Sequence, residues 1–340
     1  MVLISADSHV IEPADLWVKN LPASMQAQAP RYEEMRGFQA HQGGMDAALR
    51  GEEMAADGVS GEVLYPTNAM DQFGITDVAL QEACFRVYND WLMAYCGHLP
   101  ERLFGIAAIS LYRIDNAILE MKRCKAAGMH GAMVWQAPPV ELPFSSAHYN
   151  KFWAAAEELE MPVSLHILTG IPYGPGAAMG TLKMAATEMV RFAVNSKLLH
   201  VSNAVSDLIV SGVLERFPGL KIVLVENEVS WMPFVLTQLD KYCARGIAKG
   251  AITLSPSEYS QRQIYATFFN DPPTRWLFGN WGLNNCMWSN DFPHPNSTWP
   301  KSREVIARDP GAMPEETRRR LTHDNVTRLY KLKTEALAAA

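Results

Sequence analysis

Short runs of apolar and β-branched residues alternate with longer stretches of helical periodicity along nearly the whole chain. The runs predict strands over Leu3–Val10, Gly61–Tyr65, Phe104–Ser110, Ala132–Gln136, Pro162–Ile167, Ile222–Glu226, Ile264–Phe269 and Cys286–Asp291. Between them the pattern turns helical, over Val78–Tyr95, Asn116–Ala127, Tyr149–Leu159, Leu182–Arg216 and Trp231–Tyr242, the fourth being too long to run unbroken. Strand then helix, eight times over with no linker, is the pattern of an α/β chain closed into a parallel (β/α)8 TIM barrel, and residues 1–340 read as a single domain. The competing architecture is an open doubly wound sheet. It lacks its usual glycine-rich phosphate turn after the first strand, because Gly43-Gly44 lies too far downstream.

Two stretches break the rhythm. A long insertion rich in Pro, Met and Gln follows the first strand, from Ile11 to about Arg50, and a Gly/Pro-rich segment, Thr169–Gly180, follows the fifth. In a barrel the loops after strand C-termini build the active-site mouth, so both are candidate lids. Pro314–Lys331, with Glu315 and Glu316 in its first turn, reads as a C-terminal closing helix.

Composition narrows the partners. With 340 residues, 48% of them hydrophobic, there is ample material for a large core. A net charge of -6 leaves no basic face for phosphate contacts, which argues against nucleic acid and for a small-molecule partner. No run of about 18 apolar residues and no signal-peptide pattern occurs, so no membrane association is expected and a cytoplasmic location is. The five cysteines are scattered and never form a C-x-x-C pair, which fits buried small hydrophobes better than a disulfide framework or a thiolate zinc site.

Chemistry gathers where apolar strands end. Asp7 and His9, two apart at the mouth of the first strand, point the same way, and a carboxylate plus an imidazole suits a borderline divalent cation such as zinc or manganese. His166 ends the fifth strand and Asp291 the eighth. A buried carboxylate needs a partner to offset its desolvation, and a cation is the most effective one. In a closed barrel Asp7, His9, His166 and Asp291 face one mouth. His294, three residues past Asp291, is placed to reach substrate or to hydrogen-bond a ligand, with a turn-capping role as the alternative. Trp231, Trp288, Phe292 and Tyr173 are the candidate aromatic walls for a flat substrate, and core packing is the competing role for each.

Several blocks in order carry a family resemblance: Ala6-Asp7-Ser8-His9-Val10-Ile11-Glu12-Pro13, Asp57-Gly58-Val59 to Leu64-Tyr65-Pro66-Thr67, Ser211-Gly212-Val213-Leu214-Glu215-Arg216-Phe217-Pro218, Asn290-Asp291-Phe292-Pro293-His294 to Ser297-Thr298-Trp299-Pro300, and Asn325 to Leu329-Tyr330. The chain resembles the amidohydrolase superfamily in its decarboxylase-like branch, alongside aminocarboxymuconate semialdehyde decarboxylase and resorcylate decarboxylase. The resemblance implies one divalent metal ion held by Asp7, His9, His166 and Asp291, Asp291 as proton donor, and a homodimer or higher homo-oligomer.

Two departures stand out. Asp7 replaces the first histidine of the superfamily's common His-x-His, which moves the preference from zinc toward manganese or magnesium. Glu226 stands at the end of the sixth strand where relatives commonly have histidine, so it takes a proton-transfer role, orients a ligand, or only closes a salt bridge. Strand four ends Val134-Trp135-Gln136, with no lysine to bridge two metals. The resemblance thus implies a mononuclear carboxy-lyase acting on a small aromatic or muconate-like acid. The alternative is a hydrolase of an amide, ester, lactone or carbon-carbon bond built from the same parts.

Overall fold

The computed structural model describes residues 2–33, 41–170, 172, 185–280, 284–308, 313–333 and 337. All eight expected strands form: β1 Ile4–His9, β2 Gly61–Tyr65, β3 Leu103–Ala108, β4 Gly131–Val134, β5 Val163–His166, β6 Ile222–Val225, β7 Ile264–Phe268 and β8 Cys286–Trp288. Each pairs in parallel with the next in sequence order, and helices surround the sheet as a (β/α)8 barrel. Every strand residue is buried, as a sheet covered on both faces requires.

Several strands stop short of the apolar runs that announced them. β8 ends at Trp288 rather than Asp291, and β6 at Val225 rather than Glu226. Leu168, Glu226, Glu228 and Asp291 all have φ between 55 and 61°, a left-handed turn that takes the chain out of the ladder at the mouth. β1 carries the opposite irregularity: its register with β2 slips between Ser5 and Ser8, a bulge that re-aims the side chains following it.

The chain just past β8 meets β1 through a small set of bonds. The Asp291 N–H donates to the Asp7 carbonyl at 3.1 Å, and the His9 N–H to the Phe292 carbonyl at 2.6 Å. Beside them the hydroxyls of Ser5 and Ser8 both donate to Asn290 Oδ1, at 2.9 and 2.7 Å. The Asn290 amide reaches on to Glu62 at 3.3 Å, and Glu62 pairs with the fully buried Arg50 at 2.6 Å. Arg50 in turn donates to the His9 carbonyl at 2.7 Å and lies 4.6 Å over the Phe292 ring.

The long helical stretch breaks into Ala186–Ser196, Leu199–Val210 and Val213–Arg216. Gly212 permits the last break: its φ is +75°, and a Cβ there would stand 2.4 Å from the Ala251 carbonyl oxygen. The C-terminal helix runs from Glu315 to Tyr330 with a wide turn over Arg320–Asp324. It closes the barrel floor, where Tyr330 Oη lies 3.2 Å from Tyr65 Oη and the Asn325 amide donates to the Cys286 carbonyl at 2.8 Å.

The described part of the insertion after β1 is packed rather than loose. Trp17 is fully buried and donates to the Cys84 carbonyl at 3.0 Å, while Glu12 accepts from the Asn68 and Ala69 N–H groups at 2.8 and 3.0 Å. Of the second candidate lid, residue 171 and residues 173–180 lie outside the described residues. The five cysteines are free, and among the described residues no helix is long and apolar enough to cross a membrane.

Candidate metal centre

Parallel strands deliver their C-terminal residues to one mouth, and there the four expected ligands meet. The β1 bulge brings Asp7 Oδ1 to 3.4 Å from His9 Nε2. His166, from β5 across the barrel, has its Nε2 3.8 Å from the same oxygen, and Asp291 Oδ1 lies 3.6 Å from His9 Nε2. The two imidazoles stand edge to face with centroids 5.1 Å apart.

Each ring is fixed from behind. His9 Nδ1 lies 2.7 Å from the Pro66 carbonyl and His166 Nδ1 2.9 Å from the Ile167 carbonyl. A carbonyl only accepts, so both Nδ1 atoms carry the hydrogen in the neutral rings and both Nε2 lone pairs face the cluster. Asp7 Oδ1 and Oδ2, His9 Nε2, His166 Nε2 and Asp291 Oδ2 are all buried and without a hydrogen-bond partner. Buried acceptors brought together repel, and leaving them unsatisfied costs on the order of 1–3 kcal/mol each. A divalent cation satisfies all of them together. The carbonyl behind each histidine is the usual orienting partner of a metal-bound imidazole. This donor set of two imidazoles and two carboxylates fits such an ion on its chemistry alone.

Electrostatics separates the two acids. Burial pushes Asp7 up, but His166 and His9 outweigh it and hold Asp7 well below the usual carboxylate range. Burial dominates at Asp291 and lifts it to about 7, with His9 pulling down and the Asp7 charge pushing up. Burial also lowers His9, joined by His294, while at His166 Asp7 overcomes burial and raises it.

Two more groups complete the cluster. His294 Nδ1 is 2.9 Å from Asp291 Oδ1, its Nε2 is 3.2 Å from Thr67 Oγ1, and its ring lies 3.9 Å from that of His9 between centroids. Glu226 Oε2 is 4.0 Å from His166 Nε2. Candidate ligand atoms of His9, Glu226, Asp291 and His294 all fall within 4.8 Å of one another, as do those of Asp7, His9 and His166. Burial raises Glu226 and the nearby Asp291 adds to this, with Lys197 opposing.

The aromatic walls fare less well. Trp288 lines a small cavity with Phe268, Thr274, Val305 and Ile306, on the side of β8 that faces the outer helices, so it packs the core instead of facing the cluster. The cause is the alternation of side chains along a strand, which an apolar run conceals. Phe292 is 1% exposed and sandwiched among His41, Trp299 and the Arg50 guanidinium, which makes it a brace under the insertion. Trp231, half-buried after β6, spends its indole N–H on the Asn227 and Glu228 carbonyls and remains near the mouth. Tyr173 lies outside the described residues. At the end of β4, Gln136 binds Asn227 Oδ1 at 2.9 Å where a bridging lysine would stand.

Sequence reasoning passed over Thr67, Asn290, Arg50 and Lys197. Thr67 and Asn290 lie inside the quoted blocks, but only the fold shows what they touch. Arg50 closes the predicted insertion and Lys197 falls inside the long stretch of helical pattern, with nothing local to mark either.

Comparison with known proteins bears on the family and the fold. A family model described as Amidohydrolase matches residues 33–332. The gamma-resorcylate decarboxylase of Rhizobium radiobacter is 23% identical over 279 residues, covering 72% of this chain and 75% of its own. Among solved structures, an amidohydrolase from Mycobacterium avium subsp. paratuberculosis K-10 superposes with a TM-score of 0.77 at 17% identity, covering 97% of this chain and 99% of that one. A dihydroxybenzoic acid decarboxylase from Polaromonas sp. JS666, with bound manganese and the inhibitor 2-nitroresorcinol, gives 0.72 at 19% identity, covering 99% of each.

Proposed function

The chain belongs to the amidohydrolase family, in its resorcylate decarboxylase-like branch, and from that premise we propose that it is a metal-dependent decarboxylase of a small aromatic or muconate-like carboxylic acid. The observation that carries this reading is the set of buried, unpartnered donor atoms on Asp7, His9, His166 and Asp291. These four side chains would hold one divalent cation, with manganese favoured over zinc by the anionic Asp7 and by the manganese in the Polaromonas enzyme. When bound, such an ion supplies chelation of the substrate carboxylate and an adjacent hydroxyl, and it stabilises negative charge there.

The protein's own groups then move the proton. Asp291, with His294 Nδ1 2.9 Å from its Oδ1, is the proton donor and passes the proton to the ring or chain carbon bearing the carboxylate. That carbon gains a C–H bond, the bond to the carboxylate carbon breaks, and carbon dioxide leaves. His294 keeps Asp291 oriented through the 2.9 Å contact, and the Thr67 hydroxyl keeps His294 in place. Glu226 has a side chain 14% exposed against 1% for Asp291, so it is the acid of the cluster with access to water and the carrier that returns a proton to the site. Trp231 offers an aromatic wall. We take the enzyme to be cytoplasmic and a homodimer or larger homo-oligomer.

Product analysis tests this. Manganese-loaded protein incubated with ortho-hydroxybenzoates and muconate-type acids should release carbon dioxide and leave the decarboxylated ring or chain. Cleavage into two fragments, one carrying solvent oxygen, would instead make it a hydrolase.

A further inference from the structure

Glu226 adopts a left-handed backbone, φ +61°, that residues with side chains seldom keep without help. Two groups on separate elements grip it. From β7, the Thr267 hydroxyl accepts the Glu226 N–H at 2.9 Å. From the turn between helices Ala186–Ser196 and Leu199–Val210, Lys197 Nζ donates to the Glu226 carbonyl at 3.0 Å. The ammonium is itself fixed, 3.9 Å from Glu228 Oε1 and 5.3 Å over the Phe269 ring. A charge-assisted bond to a carbonyl is among the stronger ways to hold one peptide plane. With that plane fixed, the Glu226 side chain leaves the strand end toward His166 Nε2, 4.0 Å from its Oε2. Were the peptide to relax to extended backbone, the carboxylate would swing away from the cluster.

We propose that Lys197 and Thr267 are positioning residues that clamp the Glu226 backbone and thereby keep its carboxylate among the site's acids and imidazoles. The inference rests on the reading of Glu226 as a proton carrier.

The test is a double-mutant cycle on manganese-loaded protein, with hydrogen exchange of the segment 222–231 followed by mass spectrometry as a readout that needs no turnover. Lys197→Met keeps the aliphatic stem over Phe269 and removes the donor. It should lower kcat for an ortho-hydroxybenzoate about 10-fold, with KM and manganese content changed less than about 2-fold, and Lys197→Arg should restore most of the loss. In a Glu226→Gln background, Lys197→Met should cost less than about 2-fold more, because its effect passes through the same carboxylate. Thr267→Val should behave like Lys197→Met and Thr267→Ser like the parent protein. Both disruptive variants should speed exchange at the Glu226 amide. Equal losses from Lys197→Met in the two backgrounds, or full activity in Lys197→Met, would overturn the clamp. Wild-type kcat in Glu226→Gln would instead remove the proton-carrier role. The clamp would then stand or fall on exchange alone, as it would with no turnover, and unchanged exchange in both variants would refute it.

Discussion

Where the chain just past β8 meets β1, Asp291 and Phe292 share two backbone hydrogen bonds with Asp7 and His9, and a fully buried set of polar groups, Ser5, Ser8, Asn290, Glu62 and Arg50, fills the join. Where β5 meets β6, four consecutive pairs from Val163↔Ile222 to His166↔Val225 form an unbroken ladder whose residues, Ser164 and His166 apart, are apolar. Both joins deliver cluster residues: Asp7, His9 and Asp291 from the first, His166 and Glu226 from the second. At the ladder, backbone pairing and packing already fix the side chains. At the polar join, position depends on a chain of buried hydrogen bonds that stabilise only while every member is paired. A cation gripped from both sides of that join would tie the two ends of the polypeptide together. Cation binding and barrel closure would therefore be coupled at one join and nearly independent at the other.

The sharpest way to break this comparison is to change one ligand from each side. Asp291→Asn should lower turnover by more than about 1,000-fold while leaving much of the metal bound, because an amide keeps an oxygen donor but cannot shuttle a proton at neutral pH. His166→Ala, at the ladder, should instead weaken manganese binding by at least about 100-fold while leaving the apo-protein folded. Metal content and carbon dioxide release, measured side by side, separate the two outcomes. Wild-type-like rates in Asp291→Asn would exclude it as the proton donor.

Chelation gives the next largest effect. Metal present at a thousandfold over its Kd stabilises the folded state by about 4 kcal/mol, so a chelator should lower the unfolding midpoint by several degrees. Hydrogen exchange should then rise at β1 and at residues 286–292 more than at β5 and β6. Uniform loosening of all four would count against the coupling.

A matched pair of substitutions sharpens the point. Leu224→Ala in β6 and Asn290→Ala should each cost about 3 kcal/mol, the first by leaving a cavity, the second by opening a hole in the buried network and removing the acceptor shared by the Ser5 and Ser8 hydroxyls and one donor to Glu62. Only Asn290→Ala should also weaken manganese binding, by about 10-fold, because it frees the residues that carry Asp7 and Asp291. Denaturant unfolding and metal titration of both proteins decide it.

The same division explains what could be read from the chain. All eight strands announce themselves as apolar runs, and three strand ends carry Asp7, His9, His166 and, just beyond β8, Asp291, because a charge terminating a buried run is conspicuous in sequence. Strand C-termini were overrun because apolar character does not reveal where the backbone turns left-handed, as at Glu226 and Asp291. The helix Pro256–Gln263 was missed although Ser255 and Glu258 form a capping box, a signal present in the sequence. Trp288 is misplaced because sequence gives residue type but not the side of the strand, and Phe292 because it lies past the strand, after the left-handed turn at Asp291. The polar join was invisible altogether: Ser5 and Asn290 are 285 residues apart.

Glu12 puts the smallest expected effect on the polar side of the comparison, just past β1. Its carboxyl is fully buried and accepts N–H groups from Thr67, Asn68 and Ala69 at 3.3, 2.8 and 3.0 Å. Burial outweighs those bonds and lifts it from 4.5 to about 7. Between these values the native state keeps a proton that the unfolded chain has released, so the group's contribution to stability is complete below pH 4.5 and is lost as pH rises through 7. The loss amounts to about 2 kcal/mol between pH 5 and pH 7. Other buried acids such as Glu228 and Asp71 titrate in the same window, so the contribution is read as a difference between proteins. Glu12→Gln cannot ionise, and its unfolding free energy should fall less steeply over that range than the parent's by this amount. Parallel pH profiles for the two would mean that the three N–H groups keep Glu12 ionised throughout, and that the insertion is pinned to the mouth by a charge rather than by a neutral acid.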